Sequence, residues 1–123
     1  MNTLHTMTIL FTLTTVLIAV ITIALAIPMI KGKIKPNRIY GFKTNKTLSD
    51  ATIWYKANTY AGKVMVFTGI IMIFFSLLFL LVTLFTNVFD NSPVYVTFII
   101  YGLIFFVPLI GMVVASLAYL RHL

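Results

Sequence analysis

Three long apolar segments alternate with polar ones along the chain. The apolar segments cover roughly residues 8–30, 64–86 and 94–120, with a polar segment at 31–63 and a short polar connection at 87–93. About 20 residues, each rising about 1.5 Å, form a helix that crosses a hydrocarbon layer of about 30 Å. The pattern therefore predicts an all-α membrane protein, with three transmembrane helices in a single domain over residues 1–123.

Small and hydroxyl-bearing residues form a stripe along each predicted span. Lipid tails are as apolar as leucine, so helices in a membrane associate where small residues permit close approach. The stripes contain Thr8, Thr12, Thr15, Ala19, Thr22 and Ala26, then Gly62, Gly69, Ser76 and Thr83, then Thr97, Tyr101, Gly111 and Ala115. We predict helix packing chiefly at Thr15, Ala19, Thr22, Gly69, Ser76, Gly111 and Ala115. Two alternatives stay open. The threonines can bond to their own helix, and Gly111 with Ala115 can face another copy of the chain.

The end of the polar segment has the pattern of an amphipathic helix. Its apolar residues Ile53, Trp54, Ala57, Tyr60 and Ala61 recur at helical spacing. We predict an interfacial helix over 49–62, capped by Thr47 or Ser49, in which Trp54 belongs to the aromatic belt at the membrane surface. Gly62 is a possible hinge to the second span, so the pattern permits either one bent helix or two.

Charge supports a membrane assignment and predicts the topology. Only 9% of residues are charged and 61% are hydrophobic. Eight of the nine basic residues lie within 31–63, the ninth is Arg121, and the 87–93 connection has none. The positive-inside rule then predicts an external N-terminus, a cytoplasmic C-terminus, a cytoplasmic 31–63 loop and an external 87–93 loop. The expected partner of the net charge of +7 is a bilayer with anionic lipids at its cytoplasmic face, and not nucleic acid.

Catalytic chemistry finds no support in the residues. The chain has no cysteine, its two acidic residues are Asp50 and Asp90 on predicted opposite faces of the membrane, and His5 and His122 are separated in the same way. No nucleophile has a neighbouring histidine, and no metal-ligand spacing is present. We therefore expect a protein that is not an enzyme and holds no metal or cofactor.

Residues 37–44, with the sequence NRIYGFKT, are the strongest candidate for a binding site. Cations and aromatic residues alternate around Gly41, which allows a positive φ or a close backbone approach. A lysine, a hydroxyl and free amides beside such a glycine can hold an anionic group. Aromatic anchors among cations at the membrane surface are the alternative. The candidate residues for a ligand, lipid or partner are Asn37, Arg38, Tyr40, Gly41, Phe42, Lys43, Thr44, Thr47, Trp54, Asn58 and Gly62.

These residues also resemble a known family. Asn37, the YGFKT segment from Tyr40, the TLS segment from Thr47, Trp54, Asn58 and Gly62 lie in the order found in the SdpI family of bacterial membrane proteins. The resemblance implies a bacterial plasma-membrane protein that gives immunity to a secreted, membrane-active peptide toxin. The family usually has arginine at Lys43, and a lysine there offers a point charge in place of a bidentate grip. The founding member has further spans, so the resemblance does not extend to its signalling role.

Three functions therefore compete. The first is toxin immunity through binding at the membrane, with a peptide toxin as partner. The second is binding or transport of an anionic lipid headgroup or a small anion, by a chain that could act as a homo-oligomer. The third is a structural partner subunit with no ligand of its own.

Overall fold

Four helices make up the structure, a computed structural model that describes residues 2–123. They are α1 (Thr3–Ile30), α2 (Asn45–Ser49), α3 (Ala51–Phe85) and α4 (Val94–Leu120). Three of them, α1, α3 and α4, are long and apolar enough to cross a membrane. The prediction of an all-α protein with three such helices is confirmed.

Helix starts differ from the sequence-based expectation around residue 50. Thr44 and Thr47 form a capping box that begins the short helix α2. Asp50 is extended and caps α3 itself, because its carboxylate accepts hydrogen bonds from the backbone N–H groups of Thr52 at 2.7 Å and Ile53 at 3.4 Å. The predicted cap of the long helix by Thr47 or Ser49 is therefore wrong. A carboxylate suits the positive end of a long helix, so Asp50 is the better cap.

Helix α3 continues without interruption through Gly62, over 35 residues. Residues 51–62, most of the predicted interfacial helix, are its first turns. Gly62 is buried against α1, where a Cβ atom would lie 2.7 Å from Ile30 Cγ1 and 2.9 Å from the Ala26 carbonyl oxygen. It therefore serves close packing, and the expected hinge is absent from this position.

The predicted stripes of α1 and α3 face each other in an antiparallel arrangement. Gly62 lies against Ala26, Gly69 against Ala19, and the Ser76 carbonyl against Thr12. Each step of seven residues down α3 thus matches a step of seven up α1. Thr15, Ala19, Gly69 and Ser76 are buried, and Thr22 is half-buried with its hydroxyl bonded to the Ile18 carbonyl of its own helix. Small residues give this pair of helices its closest contact.

A buried hydroxyl cluster joins all three spanning helices. The Tyr101 and Thr12 hydroxyls are hydrogen-bonded at 2.6 Å, the Tyr101 hydroxyl lies 3.0 Å from the Thr8 carbonyl oxygen, and the Thr12 hydroxyl lies 3.4 Å from the Ser76 carbonyl oxygen. The rings of Phe11 and Phe79 pack on Tyr101 with centroids 5.3 and 5.2 Å away. In a membrane interior, bonds of this kind fix which helix faces meet.

Helix α4 departs from its predicted stripe in its second half. Thr97 and Tyr101 are buried, but Gly111 is exposed and Ala115 is half-buried. Ser116 and Leu120 are the buried residues there, and a Cβ on Gly111 would meet nothing within 4 Å. The stripe fails because α4 keeps only one of its two neighbours. Near Tyr101 it contacts both α1 and α3. Toward Leu120 it packs on α3, where the Tyr119 ring stacks on Tyr60, and the Lys46 ammonium of α2 donates to the Leu120 carbonyl at 2.9 Å.

Candidate functional site

The loop before α2 is a folded structure built around Asn37. The side-chain oxygen of Asn37 accepts from the backbone N–H groups of Ile39 at 2.8 Å and Tyr40 at 2.7 Å. Its amide donates to the carbonyls of Lys35 at 2.7 Å and Tyr40 at 3.0 Å. Asparagine is suited to this task because its side chain can imitate a backbone turn. The amide of Asn37 is thus engaged within the loop.

Trp54 and Asn58 on α3 hold the loop in place. Trp54 is fully buried and donates from its indole nitrogen to the Ile34 carbonyl at 2.8 Å. Asn58 accepts from the Phe42 N–H at 2.6 Å, and its own amide donates to the Phe42 carbonyl at 3.3 Å and to the Trp54 carbonyl at 2.9 Å. The indole N–H of Trp54 thus anchors the loop, and its place in an interfacial aromatic belt stays a prediction.

Gly41 packs closely against the side chains of both Trp54 and Asn58. Its φ is +119°, which residues with a side chain rarely adopt. A Cβ atom would lie 2.7 Å from Asn58 Oδ1 and 3.0 Å from the Trp54 ring. Both reasons for expecting glycine here, a positive φ and a close approach, are confirmed.

Further contacts tie the loop to the other helices. The Tyr40 hydroxyl donates to the Leu25 carbonyl of α1. Thr47 donates its backbone N–H to the Thr44 hydroxyl at 3.0 Å, and Thr44 returns its N–H to the Thr47 hydroxyl at 2.7 Å. Every buried side-chain nitrogen or oxygen in residues 2–123 has a hydrogen-bond partner. The polar groups of these motif residues are thus largely occupied by the fold.

Three exposed residues at the loop tip retain chemistry for a ligand. Arg38 and Lys43 are exposed cations, and Ile39 is 90% exposed. Lys43 donates only to the Ile39 carbonyl, at 3.1 Å on the surface. Arg38 and Lys43 also border a surface hollow of about 190 Å³ with Thr44, Asn45 and Leu48. This hollow, named the cationic hollow below, is where an anion would meet the chain.

An apolar groove lies beside the loop, between α1, α3 and α4. Its volume is about 310 Å³. The loop side is formed by residues 39–43, and the helices contribute Leu25, Met29, Ala61, Met65, Met112, Val113 and Ser116. We name this the methionine groove. Lys43 borders both the groove and the cationic hollow, so the two are neighbours.

The structure therefore divides the predicted binding residues by position. Tyr40, Gly41, Phe42 and Lys43 line the methionine groove, and Arg38, Lys43 and Thr44 line the cationic hollow. Asn37, Thr47, Trp54, Asn58 and Gly62 line neither, and their contacts are with the loop or with α1. The helical lining of the groove was not predicted, because apolar residues of a span look alike in sequence. Three methionines at one level of the bundle are the one signal that could have indicated it.

Metal-ligand groupings were also sought in the described chain. Residues 2–123 contain no group of three or more His, Cys, Asp or Glu side chains close enough to hold a metal ion.

Comparison with known proteins gives one family. The model of the SdpI/YfhL protein family matches residues 33–115, about two thirds of the chain. The chain is also similar to a curated protein of Bacillus subtilis (strain 168), described as "Uncharacterized protein YfhL", with 33% identity over 36 residues. That alignment covers 29% of this chain and 33% of the relative, so it spans about a third of the relative's length. No solved structure gives a significant match.

Proposed function

Because this chain belongs to the SdpI/YfhL family, as its loop motif predicted, we propose that it protects its host cell from a membrane-active peptide toxin by binding at the membrane. Family membership and the three apolar helices make it a multi-pass protein of the cell membrane. The proposed protection is not enzymatic. Protection would result from binding of the peptide to the surface of this protein.

The observation that carries the proposal is the pairing of an exposed loop tip with the methionine groove. Ile39 and Phe42 offer apolar surface at the loop, and Met29, Met65 and Met112 offer adaptable apolar surface below it. Flexible methionines allow a surface to accept side chains of different shapes. An amphipathic peptide lying in the membrane surface presents an apolar face of this kind.

The orientation that we propose has the N-terminus outside and the C-terminus inside. It follows from the eight basic residues within 31–63 and their absence from the 87–93 connection. The loop, the cationic hollow and the first turns of α3 would then lie at the cytoplasmic surface. A peptide that reached this level would already have inserted into the bilayer.

The test is survival of a sensitive bacterium that expresses the chain. A panel of secreted membrane-active peptides is applied as pure synthetic material, and membrane levels of the protein are measured in parallel. We expect at least one peptide to require about tenfold more material to kill the expressing cells, and Ile39→Asp to abolish the difference. Asn91→Asp, at an exposed position of the other loop, is the matched control. If every peptide kills expressing and non-expressing cells equally, although the protein is present in the membrane, the proposal is wrong.

A further inference from the structure

The methionine groove and the cationic hollow together have the chemistry of one amphipathic anion. The groove is lined almost entirely by apolar atoms, and its volume of about 310 Å³ lies at the lower end of the range of ligand pockets, about 300–1,000 Å³. The hollow beside it holds Arg38 and Lys43, and no acidic residue lines either one. A ligand that fills both would carry a slender apolar chain and a negative head.

The side walls show how such a ligand would enter. Leu25 on α1 and Val113 on α4 border the groove and are 44% and 50% exposed. Helices α1 and α4 are joined by the Tyr101 hydroxyl bonds to Thr8 and Thr12, which lie toward the opposite end of α1. The two helices leave the groove between them at the loop end. In a bilayer the surface beside Leu25 and Val113 is in contact with lipid.

Charge indicates which lipid fits. Lys31, Lys33 and Lys35 precede the hollow, while the nearest carboxylate along the chain, Asp50, is engaged in capping α3. Lysines close to an anionic leaflet are attracted to its negative headgroups. Lys43 holds only a surface carbonyl, so its ammonium can exchange that bond for a phosphate oxygen.

We propose that the methionine groove binds one acyl chain of an anionic phospholipid, whose phosphate is held in the cationic hollow by Arg38 and Lys43. Arg38 supplies a planar fork of donors, and Lys43 supplies a point charge at the junction of hollow and groove. The lipid would occupy the same groove that the proposed protective function assigns to a peptide, and its retention can be measured with no toxin present.

Native mass spectrometry of the full chain tests the site. The protein is delipidated in detergent and titrated with phosphatidylglycerol or phosphatidylcholine of identical acyl chains. We expect one phosphatidylglycerol to be retained about tenfold more strongly than phosphatidylcholine. The double variant Arg38→Gln/Lys43→Gln should lose this preference, and Val113→Trp should lose retention of the lipid altogether.

Matched variants separate the site from general effects of charge and bulk. Lys56→Gln/Lys63→Gln removes two other exposed cations, and Val114→Trp adds the same ring at an exposed position that does not line the groove. Circular dichroism checks that each variant is folded. Equal retention of the two lipids by the unaltered chain, or equal losses in the site and control variants, would overturn the proposal. If Val113→Trp abolishes resistance in cells but leaves lipid retention unchanged, the groove takes a peptide, so the lipid site is wrong while the protective function stands.

Discussion

The side-chain amide of Asn58 hydrogen-bonds both the N–H and the carbonyl of Phe42, sixteen residues earlier in the chain. The Asn58 side chain thus pairs with one loop residue through both a donor and an acceptor, as the backbone of a neighbouring β-strand would. Because Asn58 lies on α3 and is 2% exposed, this pair connects the polar loop to a helix that continues into the membrane. The loop at the candidate site is therefore held in a defined position.

Replacing Asn58 with alanine should release the loop. The Phe42 N–H and carbonyl lose their partner, and an unsatisfied buried group costs about 1–3 kcal/mol. We expect that loss in the free energy of unfolding in detergent, measured by denaturant titration. The emission of Trp54, the single tryptophan, should shift to longer wavelength as its burial is lost. Asn91→Ala, at an exposed position, should change neither. An unchanged stability of Asn58→Ala would contradict the importance of this contact.

Gly41 and Gly32 form a natural comparison of crowding and backbone strain. Both have positive φ, +119° and +67°, but a Cβ on Gly32 would meet nothing within 4 Å. Gly32→Ala should therefore cost only the left-handed backbone penalty of about 1–2 kcal/mol. Gly41→Ala adds a collision with Asn58 and Trp54 and should cost clearly more. Thermal unfolding followed by circular dichroism measures both, and equal losses would show that crowding at Gly41 is unimportant.

The loop motif and the family it indicates could be recognised from sequence, but the contacts that its residues make could not. Asn37, Asn58 and Trp54 were expected to contact a ligand, since polar and aromatic residues near a membrane surface have many possible partners. In the structure their hydrogen bonds go to backbone atoms of the loop itself. Periodicity says which helix face a residue is on. It does not show whether a loop sixteen residues away folds back to meet it.

Close packing of α1 and α3 can be tested at Gly69. A Cβ there would lie 2.6 Å from Ile23 Cγ1 and 3.0 Å from the Ala19 carbonyl oxygen. Gly69→Ala should force the helices apart and lower stability by about 1–3 kcal/mol, the usual cost of overpacking. Gly102→Ala on α4 is the matched control, because a Cβ there meets nothing within 4 Å. Resistance to unfolding by sodium dodecyl sulfate measures both variants. A loss from Gly102→Ala as large as that from Gly69→Ala would argue against this packing.

The hydroxyl of Tyr101 should contribute modestly to stability. Tyr101→Phe keeps the ring packed on Phe11 and Phe79 but removes the bonds to Thr12 and the Thr8 carbonyl. Hydrogen bonds between membrane helices average about 0.6 kcal/mol and reach about 1.7 kcal/mol, so the loss should fall in that range. Tyr95→Phe, at a position 61% exposed, should be neutral in the same unfolding titration. A larger loss at Tyr95 than at Tyr101 would contradict the prediction.

The proposed orientation can be tested with single cysteines, because the chain has none of its own. Asn45→Cys in α2 and Asn91→Cys in the opposite loop both occupy exposed positions. In intact cells, a membrane-impermeant maleimide should label Asn91→Cys and leave Asn45→Cys unlabelled until the cells are opened. The reverse pattern would place the basic loop outside and contradict the positive-inside argument.

Helix α4 shows where a periodic pattern stops being informative. A stripe predicts packing as long as a helix faces the same neighbour throughout, and this holds for α1 against α3. Helix α4 contacts α3 at both ends, through Tyr101 on Phe79 and Tyr119 on Tyr60, but it parts from α1 at the methionine groove. There the buried residues are Ser116 and Leu120, and Gly111 is exposed. The methionine groove lies where α1 and α4 part, which no local pattern of residues encodes.

Because α3 is one continuous helix, a change in its tilt also moves its N-terminal end. At about 1.5 Å per residue its 35 residues extend for roughly 52 Å, well beyond a hydrocarbon layer of about 30 Å. Trp54 and Asn58, in the first two turns of α3, hydrogen-bond to the loop. A change of about 10° in the tilt of α3, within the range that membrane helices adopt, would swing that end by roughly 5 Å about the helix midpoint. A change in bilayer thickness that altered the tilt of α3 would therefore also move the loop that Trp54 and Asn58 hold.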